Sequence, residues 1–158
     1  MEPAVAYVGV VGPGDGATAD DLELASEVGR LLAENRRVVV TGGMGGVMEA
    51  ASRGATEAGG VSLGLLPGST RALANRHLSV SIPTGLGEMR NALLVRTCDA
   101  VISVAGSWGT LSEIAMAQRT AVPMICLAGW DLPAGPQLAA TPLEAVQFAV
   151  RATRDMHL

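Results

Sequence analysis

Short runs of consecutive apolar residues alternate along the chain with segments in which apolar residues recur every three or four positions. The runs are rich in Val and Ile, which is typical of parallel strands that are buried on both faces. Six such runs are predicted as strands: Val5–Val11, Arg37–Val40, Val61–Leu66, Leu78–Ile82, Ala100–Val104 and Pro123–Leu127.

Helix signals lie between these runs. A cap at Thr18 precedes a periodic stretch that ends near Glu34, and the last helix begins with the capping box Thr141-Pro142-Leu143-Glu144. Further helices are predicted over Gly46–Ala58, Gly87–Thr97 and Thr110–Arg119. The alternation predicts an α/β, doubly wound (Rossmann-like) and mostly parallel sheet of about six strands, with helices on both faces, in a single domain spanning residues 1–158.

Glycine is the compositional outlier, with 20 residues among 158. Eleven of the twenty follow predicted strands, at the carboxyl edge of the sheet where doubly wound folds bind ligands. Glycine there lets the backbone approach a ligand closely, although some of these residues, above all those of 12–16, could serve only tight turns. The eleven are Gly12, Gly14, Gly16, Gly42, Gly43, Gly45, Gly46, Gly85, Gly87, Gly106 and Gly109.

The charged residues exclude several classes of function. All 11 basic residues are arginine, so neither a pyridoxal Schiff base nor a Walker A phosphate loop can form, since each needs a lysine. The formal charge of −4 argues against a nucleic-acid partner, whose binding depends on phosphate neutralisation. We identify no pattern of metal ligands and expect no bound cofactor.

Other features indicate a protein of the cytoplasm. Cys98 and Cys126 lie in apolar stretches and are expected to be reduced thiols. Met1-Glu2-Pro3 lacks the basic start of a signal peptide. No uncharged run exceeds 13 residues, the length of residues 58–70, which is too short to span a bilayer, so no membrane partner is expected.

Two glycine loops are candidate phosphate sites. One leaves a predicted strand at Ala105 and enters a helix at Thr110, and the other precedes the helix that starts at Gly46. Free amides and the positive end of the dipole at a helix start bind anions, so two such loops on one sheet edge favour a phosphorylated ligand. The predicted binding residues are Gly42, Gly43, Met44, Gly45, Gly46, Gly106, Ser107, Trp108, Gly109 and Thr110.

Glu113 and Arg90 are the candidate charged groups of this site. Glu113 lies three residues after Thr110, where it either faces the ligand or closes a capping box with Thr110. The helix start predicts a lowered pKa for Glu113, hence a carboxylate that is ionised at neutral pH. A cation at a helix start is disfavoured, so Arg90 is expected to be compensated by a phosphate or by Glu113, unless it is a surface residue paired with Glu88.

Three further features stay open. The loop Pro67–His77 is expected to be mobile, and its Arg76 and His77 either reach a ligand or remain solvated. Trp108 either stacks on a base or fills a subunit interface. Cys98 is interpreted as a packing residue.

The motifs resemble those of the Lonely Guy (lysine-decarboxylase-like) superfamily. Arg90 and the segment Ala105-Gly-Ser-Trp-Gly-Thr-Leu-Ser-Glu113 are similar to its arginine and P-G-G-x-G-T-x-x-E pattern. The segment Thr41–Met48 is similar to its G-G-G-x-x-G-L-M loop, and the resemblance extends from Val5 to Leu127.

The resemblance implies a homodimer or larger assembly that acts on a phosphorylated small molecule. Characterised members are phosphoribohydrolases, which cleave the N-glycosidic bond of a nucleoside 5′-monophosphate to release the base and ribose 5-phosphate. On this hypothesis Arg90 and Glu113 are catalytic, and Asn91 joins the two glycine loops in binding the nucleotide.

Three positions depart from the hydrolase pattern: Ala105 replaces its proline, Ser107 its second glycine and Asn91 its lysine. The segment Ile82–Asn91 looks more like a short bacterial branch that is similar to molybdenum-cofactor carrier proteins, which bind a phosphorylated pterin without turning it over. The alternative hypothesis is therefore a non-catalytic binding or carrier protein for molybdenum cofactor or a nucleotide.

Overall fold

The computed structural model describes residues 5–132 and 134–154 as an alternation of strands and helices. The strands are β1 (Tyr7–Val11), β2 (Val38–Thr41), β3 (Ser62–Leu66), β4 (Val80–Pro83), β5 (Ala100–Val104), β6 (Met124–Leu127) and β7 (Gln137–Ala139). The helices are α1 (Ala19–Glu34), α2 (Val47–Glu57), α3 (Arg90–Thr97), α4 (Trp108–Thr120) and α5 (Pro142–Ala152), with a short 3-10 turn at Gly87–Met89 before α3.

All the strands pair in parallel in one sheet, in the order β4-β3-β2-β1-β5-β6-β7. Strand β1 is central, and its Val8 lies opposite Val39 of β2 on one side and Ala100 of β5 on the other. The strand order reverses between β1 and β5. The crevice above this switch point is where open α/β sheets bind their ligands.

The sheet is covered on both faces, as predicted. Helices α1, α2 and α5 pack against one face in a cluster that includes Val8 and Ile102. Helices α3 and α4 cover the other face in a cluster that includes Val101 and Ile114. Alternate residues of each central strand point to opposite faces, so both clusters draw on the same buried strands.

Helices α1 and α2 pack backbone to backbone through two glycines. A Cβ atom at Gly29 of α1 would collide with the carbonyl oxygen of Ala51, and one at Gly54 of α2 would collide with that of Ser26. Neither backbone can shift without opening the helix pair. The absence of a side chain at these two positions therefore sets the spacing between the helices.

The structure corrects the predicted elements in several places. The sequence prediction missed β7, which has three residues with exposed Gln137 and Leu138 and so lacks the Val- and Ile-rich pattern of a buried strand. Strand β4 covers only the last three residues of the predicted run Leu78–Ile82 and extends to Pro83. Helix α4 starts at Trp108 instead of Thr110, because Ser107 provides the cap.

No helix in the described ranges has both the length and the apolar character needed to cross a bilayer. In the same ranges, no group of three or more His, Cys, Asp or Glu side chains lies close enough together to hold a metal ion.

We predict that Gly54→Ala destabilises the protein even though alanine is the better helix former. The collision with Ser26 is expected to lower the free energy of unfolding by about 1–3 kcal/mol. The better helix propensity of alanine would raise it by about 1 kcal/mol, so we expect a net loss of stability. Urea unfolding measures the change. Gly68→Ala is the matched control, because a Cβ at Gly68 meets nothing within 4 Å. A more stable Gly54→Ala variant would contradict the packing argument.

Candidate functional site

The loops that follow β1, β2 and β5 meet at the carboxyl edge of the sheet. The amide of Val47, at the start of α2, donates to the carbonyl oxygen of Pro13 at 3.0 Å. Gly46 has a φ of +65°, and a Cβ there would collide with the carbonyl oxygens of Pro13 and Gly14. The predicted convergence of the glycine loops after β1 and β2 is thus a direct backbone contact.

Arg90, the first residue of α3, lies beneath these loops and is only 8% exposed. Its Nη1 donates to the carbonyl oxygens of Gly42 and Leu65, both at 2.6 Å, and its Nε donates to Oδ1 of Asn91 at 3.1 Å. Within the described residues Nη2 has no hydrogen-bond partner. The guanidinium therefore ties the β2 loop to the end of β3 and leaves Nη2 without a bond to any described residue.

The alternatives for Arg90 are resolved by this geometry. The side chain is buried, so the surface pairing with Glu88 is wrong. Compensation for its charge comes mainly from the backbone carbonyl oxygens of Gly42 and Leu65, which the sequence did not indicate. Burial lowers the pKa of the guanidinium, and the nearby Glu113 carboxylate opposes that shift.

Asn91 holds the guanidinium in place from the side. Its Oδ1 accepts from Arg90, and its Nδ2 donates to Oγ of Ser112 on α4 at 3.4 Å. A lysine at this position, as in the hydrolase pattern, could offer no acceptor to Arg90. Asn91 thus links α3 to α4 and positions Arg90.

The loop before α4 differs from the predicted cap. Oγ of Ser107 accepts from the amide of Thr110 at 3.2 Å, so Ser107 is the N-cap and the predicted capping box between Thr110 and Glu113 does not form. The Thr110 amide is therefore occupied within the protein. Among the described residues the amides of Trp108 and Gly109 have no acceptor, so they are free donors at the start of α4.

Ala105, which stands at the position of the proline in the hydrolase pattern, has a conformation that proline cannot adopt. Its φ is +56°, whereas the proline ring fixes φ near −65°. A left-handed residue other than glycine costs on the order of 1–3 kcal/mol and is found where a loop has a function to perform. The departure from the motif is therefore accompanied by a different path of the chain into the loop.

Glu113 lies in the second turn of α4 and is 8% exposed. Its carboxylate makes no hydrogen bond to any described residue. Burial raises its pKa to about 7, and Arg90 only partly offsets this effect. The predicted low pKa is therefore wrong, because the cost of burying the carboxylate outweighs the effect of the Arg90 charge. Glu113 also lies beyond the first turn of α4, where the helix dipole has little effect.

The loop 67–77 is tied to the β2 loop. The amide of Asn75 donates to the carbonyl oxygen of Gly43 at 2.9 Å, and its Nδ2 donates to that of Met44 at 3.0 Å. Nε2 of His77 lies 3.8 Å from a carboxylate oxygen of Glu49 on α2. Sequence reasoning missed Asn75, since nothing in the local pattern separates it from other polar loop residues.

Two tryptophans meet beside the β5 loop. The rings of Trp108 and Trp130 have centroids 5.7 Å apart and are tilted by 45°. Nε1 of Trp130 is buried without a hydrogen-bond partner in the described structure, and a Cβ at Gly106 would lie 2.5 Å from it. Trp130 was not predicted as a site residue, although it follows β6 at the same sheet edge.

The structure thus brings Arg90, Glu113, Asn91 and the two glycine loops to one edge. Two of the amides predicted to bind the ligand already have an acceptor within the protein. The amide of Gly43 donates to Oγ1 of Thr41 at 3.1 Å, and the amide of Thr110 donates to Oγ of Ser107.

We predict that Glu113 makes the protein less stable as the pH rises. The unfolded carboxyl ionises near its ordinary pKa of 4.5 and the folded one near 7, so its stabilising contribution is complete below 4.5 and lost as the pH rises to 7. Urea unfolding should show Glu113→Gln gaining about 1–3 kcal/mol over the wild type between pH 5 and pH 8. Glu57→Gln, on α2, is the control. An equal effect of Glu113→Gln at both pH values would show that Glu113 is ionised throughout.

Comparison with known proteins identifies the family. The model of the SLOG cluster4 family matches residues 5–154. An uncharacterized protein of Archaeoglobus fulgidus is 37% identical over 143 residues, which cover 90% of this chain and 93% of that protein.

Two solved structures are similar over their whole length. The molybdenum cofactor binding protein of Rippkaea orientalis has a TM-score of 0.87 and 35% identity, covering 91% of this chain and 94% of that one. The molybdenum cofactor carrier protein of Chlamydomonas reinhardtii has a TM-score of 0.88 and 29% identity, with 95% and 99% covered. DNA processing protein A of Helicobacter pylori, at 21% identity and a TM-score of 0.73 over 92% of this chain and 80% of that one, shares the fold alone. The chain belongs to the SLOG cluster4 family.

Proposed function

We propose that this protein binds a phosphorylated pterin of the molybdenum-cofactor class at the carboxyl edge of its sheet and carries it without cleaving it. The observation that carries the proposal is the pair of glycine loops with free amides beside the buried Arg90. This arrangement offers donors and positive potential to an oxyanion. The comparisons support the class of ligand, since both similar carrier or binding proteins are described as handling molybdenum cofactor.

Phosphate recognition in this chain depends on the backbone because there is no lysine. The amides of Trp108 and Gly109 stand at the positive end of α4. Nη2 of Arg90 adds a fixed cationic donor from the β2 side. A site built from amides and one buried arginine holds an anion by geometry as well as by charge.

The same site offers little for hydrolysis. Asn91 replaces the lysine of the hydrolase pattern, and its side chain is engaged with Arg90 and Ser112. The Ser107 hydroxyl caps α4 and is bonded to Thr110. Neither side chain is therefore free to act on a glycosidic bond.

One observation favours a second candidate, the phosphoribohydrolase. Glu113 is buried, has no hydrogen-bond partner among the described residues and lies close enough to Arg90 to feel its charge. A carboxylate so placed could stabilise an oxocarbenium-like ribose and orient a water molecule, as in glycoside hydrolysis. On this hypothesis Arg90 would hold Glu113 and the phosphate in register.

We predict that the protein retains its ligands intact. Incubation with molybdopterin released from a purified molybdoenzyme should give a complex detectable by native mass spectrometry. Incubation with AMP or GMP should release neither free base nor ribose 5-phosphate, because Asn91 replaces the lysine of the hydrolase pattern and is bonded to Arg90 and Ser112. Chromatography of the nucleotide mixtures and a reducing-sugar assay measure the products.

The control is Glu113→Gln, which removes the only candidate carboxylate. Release of base by the wild type, reduced on the order of 10²-fold in Glu113→Gln, would establish the hydrolase instead. Failure to bind molybdopterin or any phosphate-bearing probe would overturn both functions.

A further inference from the structure

A groove lies along the α3–α4 pair. It begins at the start of α4, where the amides of Trp108 and Gly109 are free. It has a volume of about 560 Å³, within the range of small-molecule sites. Residues from both helices and from the turn before α3 line it: Glu88, Met89, Asn91, Trp108, Ser112 and Met116, with Ala92 and Gly109 at its floor.

The most exposed large side chains of the site stand at this groove. Trp108 is 80% exposed and Met89 is 70% exposed. The tilted contact of Trp108 with Trp130 leaves the rest of the Trp108 ring uncovered. Trp108, the first residue of α4, buries little of its own surface, so packing within the chain does not explain a tryptophan at this position.

The groove is continuous with the proposed phosphate site. Trp108 and Gly109 line the groove with their side chain and backbone, and their amides form the free end of α4. A ligand whose phosphate is bound by these amides would have the rest of its body directed either over the β2 loop or into the groove. Only the groove offers an uncovered aromatic ring.

The other lining groups suit a flat nitrogen heterocycle. Methionine sulfurs of Met89 and Met116 make favourable contacts with aromatic rings and adapt to their shape. The Ser112 hydroxyl and the Asn91 amide are fixed by hydrogen bonds to Gly109, to Arg90 and to each other. The Ser112 oxygen keeps one acceptor position, and the Asn91 amide keeps one donor and one acceptor position, beside the apolar surface. Such a mixture of ring-stacking surface and a few fixed polar groups is typical of sites for bicyclic heterocycles.

We propose that this groove is the subsite for the bicyclic ring of the ligand, a pterin or guanine-type heterocycle that stacks on Trp108 while its phosphate is bound at the start of α4. The proposal rests on the phosphate site of the proposed function. It assigns to Trp108 the recognition of the ring and to the Trp108 and Gly109 amides the recognition of the phosphate.

The test compares GMP with ribose 5-phosphate, which carries the same sugar phosphate without the ring. Isothermal titration calorimetry on the wild type should show GMP binding about tenfold or more tightly, as expected for one stacked base. Trp108→Ala, which keeps the backbone amide, should weaken the binding of GMP about tenfold more than that of ribose 5-phosphate and so remove this difference. Trp108→Phe should retain part of it. Leu143→Ala, an exposed apolar residue of α5 away from the groove, is the control and should change neither affinity.

The outcomes separate the two proposals. Equal binding of GMP and ribose 5-phosphate by the wild type, or an equal loss of both in Trp108→Ala, overturns the ring subsite and leaves the phosphate site standing. Absence of binding by either probe overturns the phosphate site, and the ring subsite with it. Light scattering on Trp108→Ala tests another occupant: conversion of a wild-type oligomer to monomers would show that a second copy of the chain covers the groove.

Discussion

The buried guanidinium of Arg90 is the interaction on which the site depends. Desolvating a charge is costly, and it is tolerated here because the carbonyl oxygens of Gly42 and Leu65 and the side chain of Asn91 accept its hydrogen bonds. Those acceptors come from the β2 loop, the end of β3 and α3 itself. The same bonds that stabilise the charge therefore fix the relative positions of the elements that form the ligand edge.

This arrangement limits what the site can recognise. The carbonyl oxygens engage Nη1 of Arg90, so the groups left for the proposed ligand are Nη2 and backbone amides. Beside them burial raises the pKa of Glu113 to about 7, so roughly half of these carboxyl groups carry a proton at neutral pH. A protonated carboxyl does not repel a phosphate, whereas an ionised one does, so the burial of Glu113 reduces the repulsion that a bound anion would meet.

Much of this could be predicted from the sequence. The Val- and Ile-rich runs and the glycines after them located the central strands and the sheet edge where the glycine loops meet, because a buried parallel strand leaves a strong local pattern. Arg90 and Glu113, which the motif spacing singled out, lie near each other at that edge, and their part in binding stays a prediction. The short edge strand β7 lacks such a pattern, and its existence depends on pairing with β6.

The sequence does not show which acceptor a donor will bind when several acceptors lie within reach. Whether Ser107 or Thr110 caps α4 depends on where the chain leaves β5, which the positive φ of Ala105 determines. The raised pKa of Glu113 comes from the burial of its carboxyl group, which the spacing of the motif does not encode. The roles of Asn75 and Trp130 arise from contacts between distant parts of the chain, which no local spacing encodes.

The most direct test of this account is a crystal structure of the protein with a phosphorylated pterin. The account predicts an intact ligand whose phosphate lies within hydrogen-bond distance of the Trp108 and Gly109 amides, with the Arg90 guanidinium still bound to Gly42 and Leu65. A phosphate bound elsewhere, for example at the arginines Arg151 and Arg154 of the groove beside α5, or a ligand that has lost its phosphate-bearing portion, would contradict it.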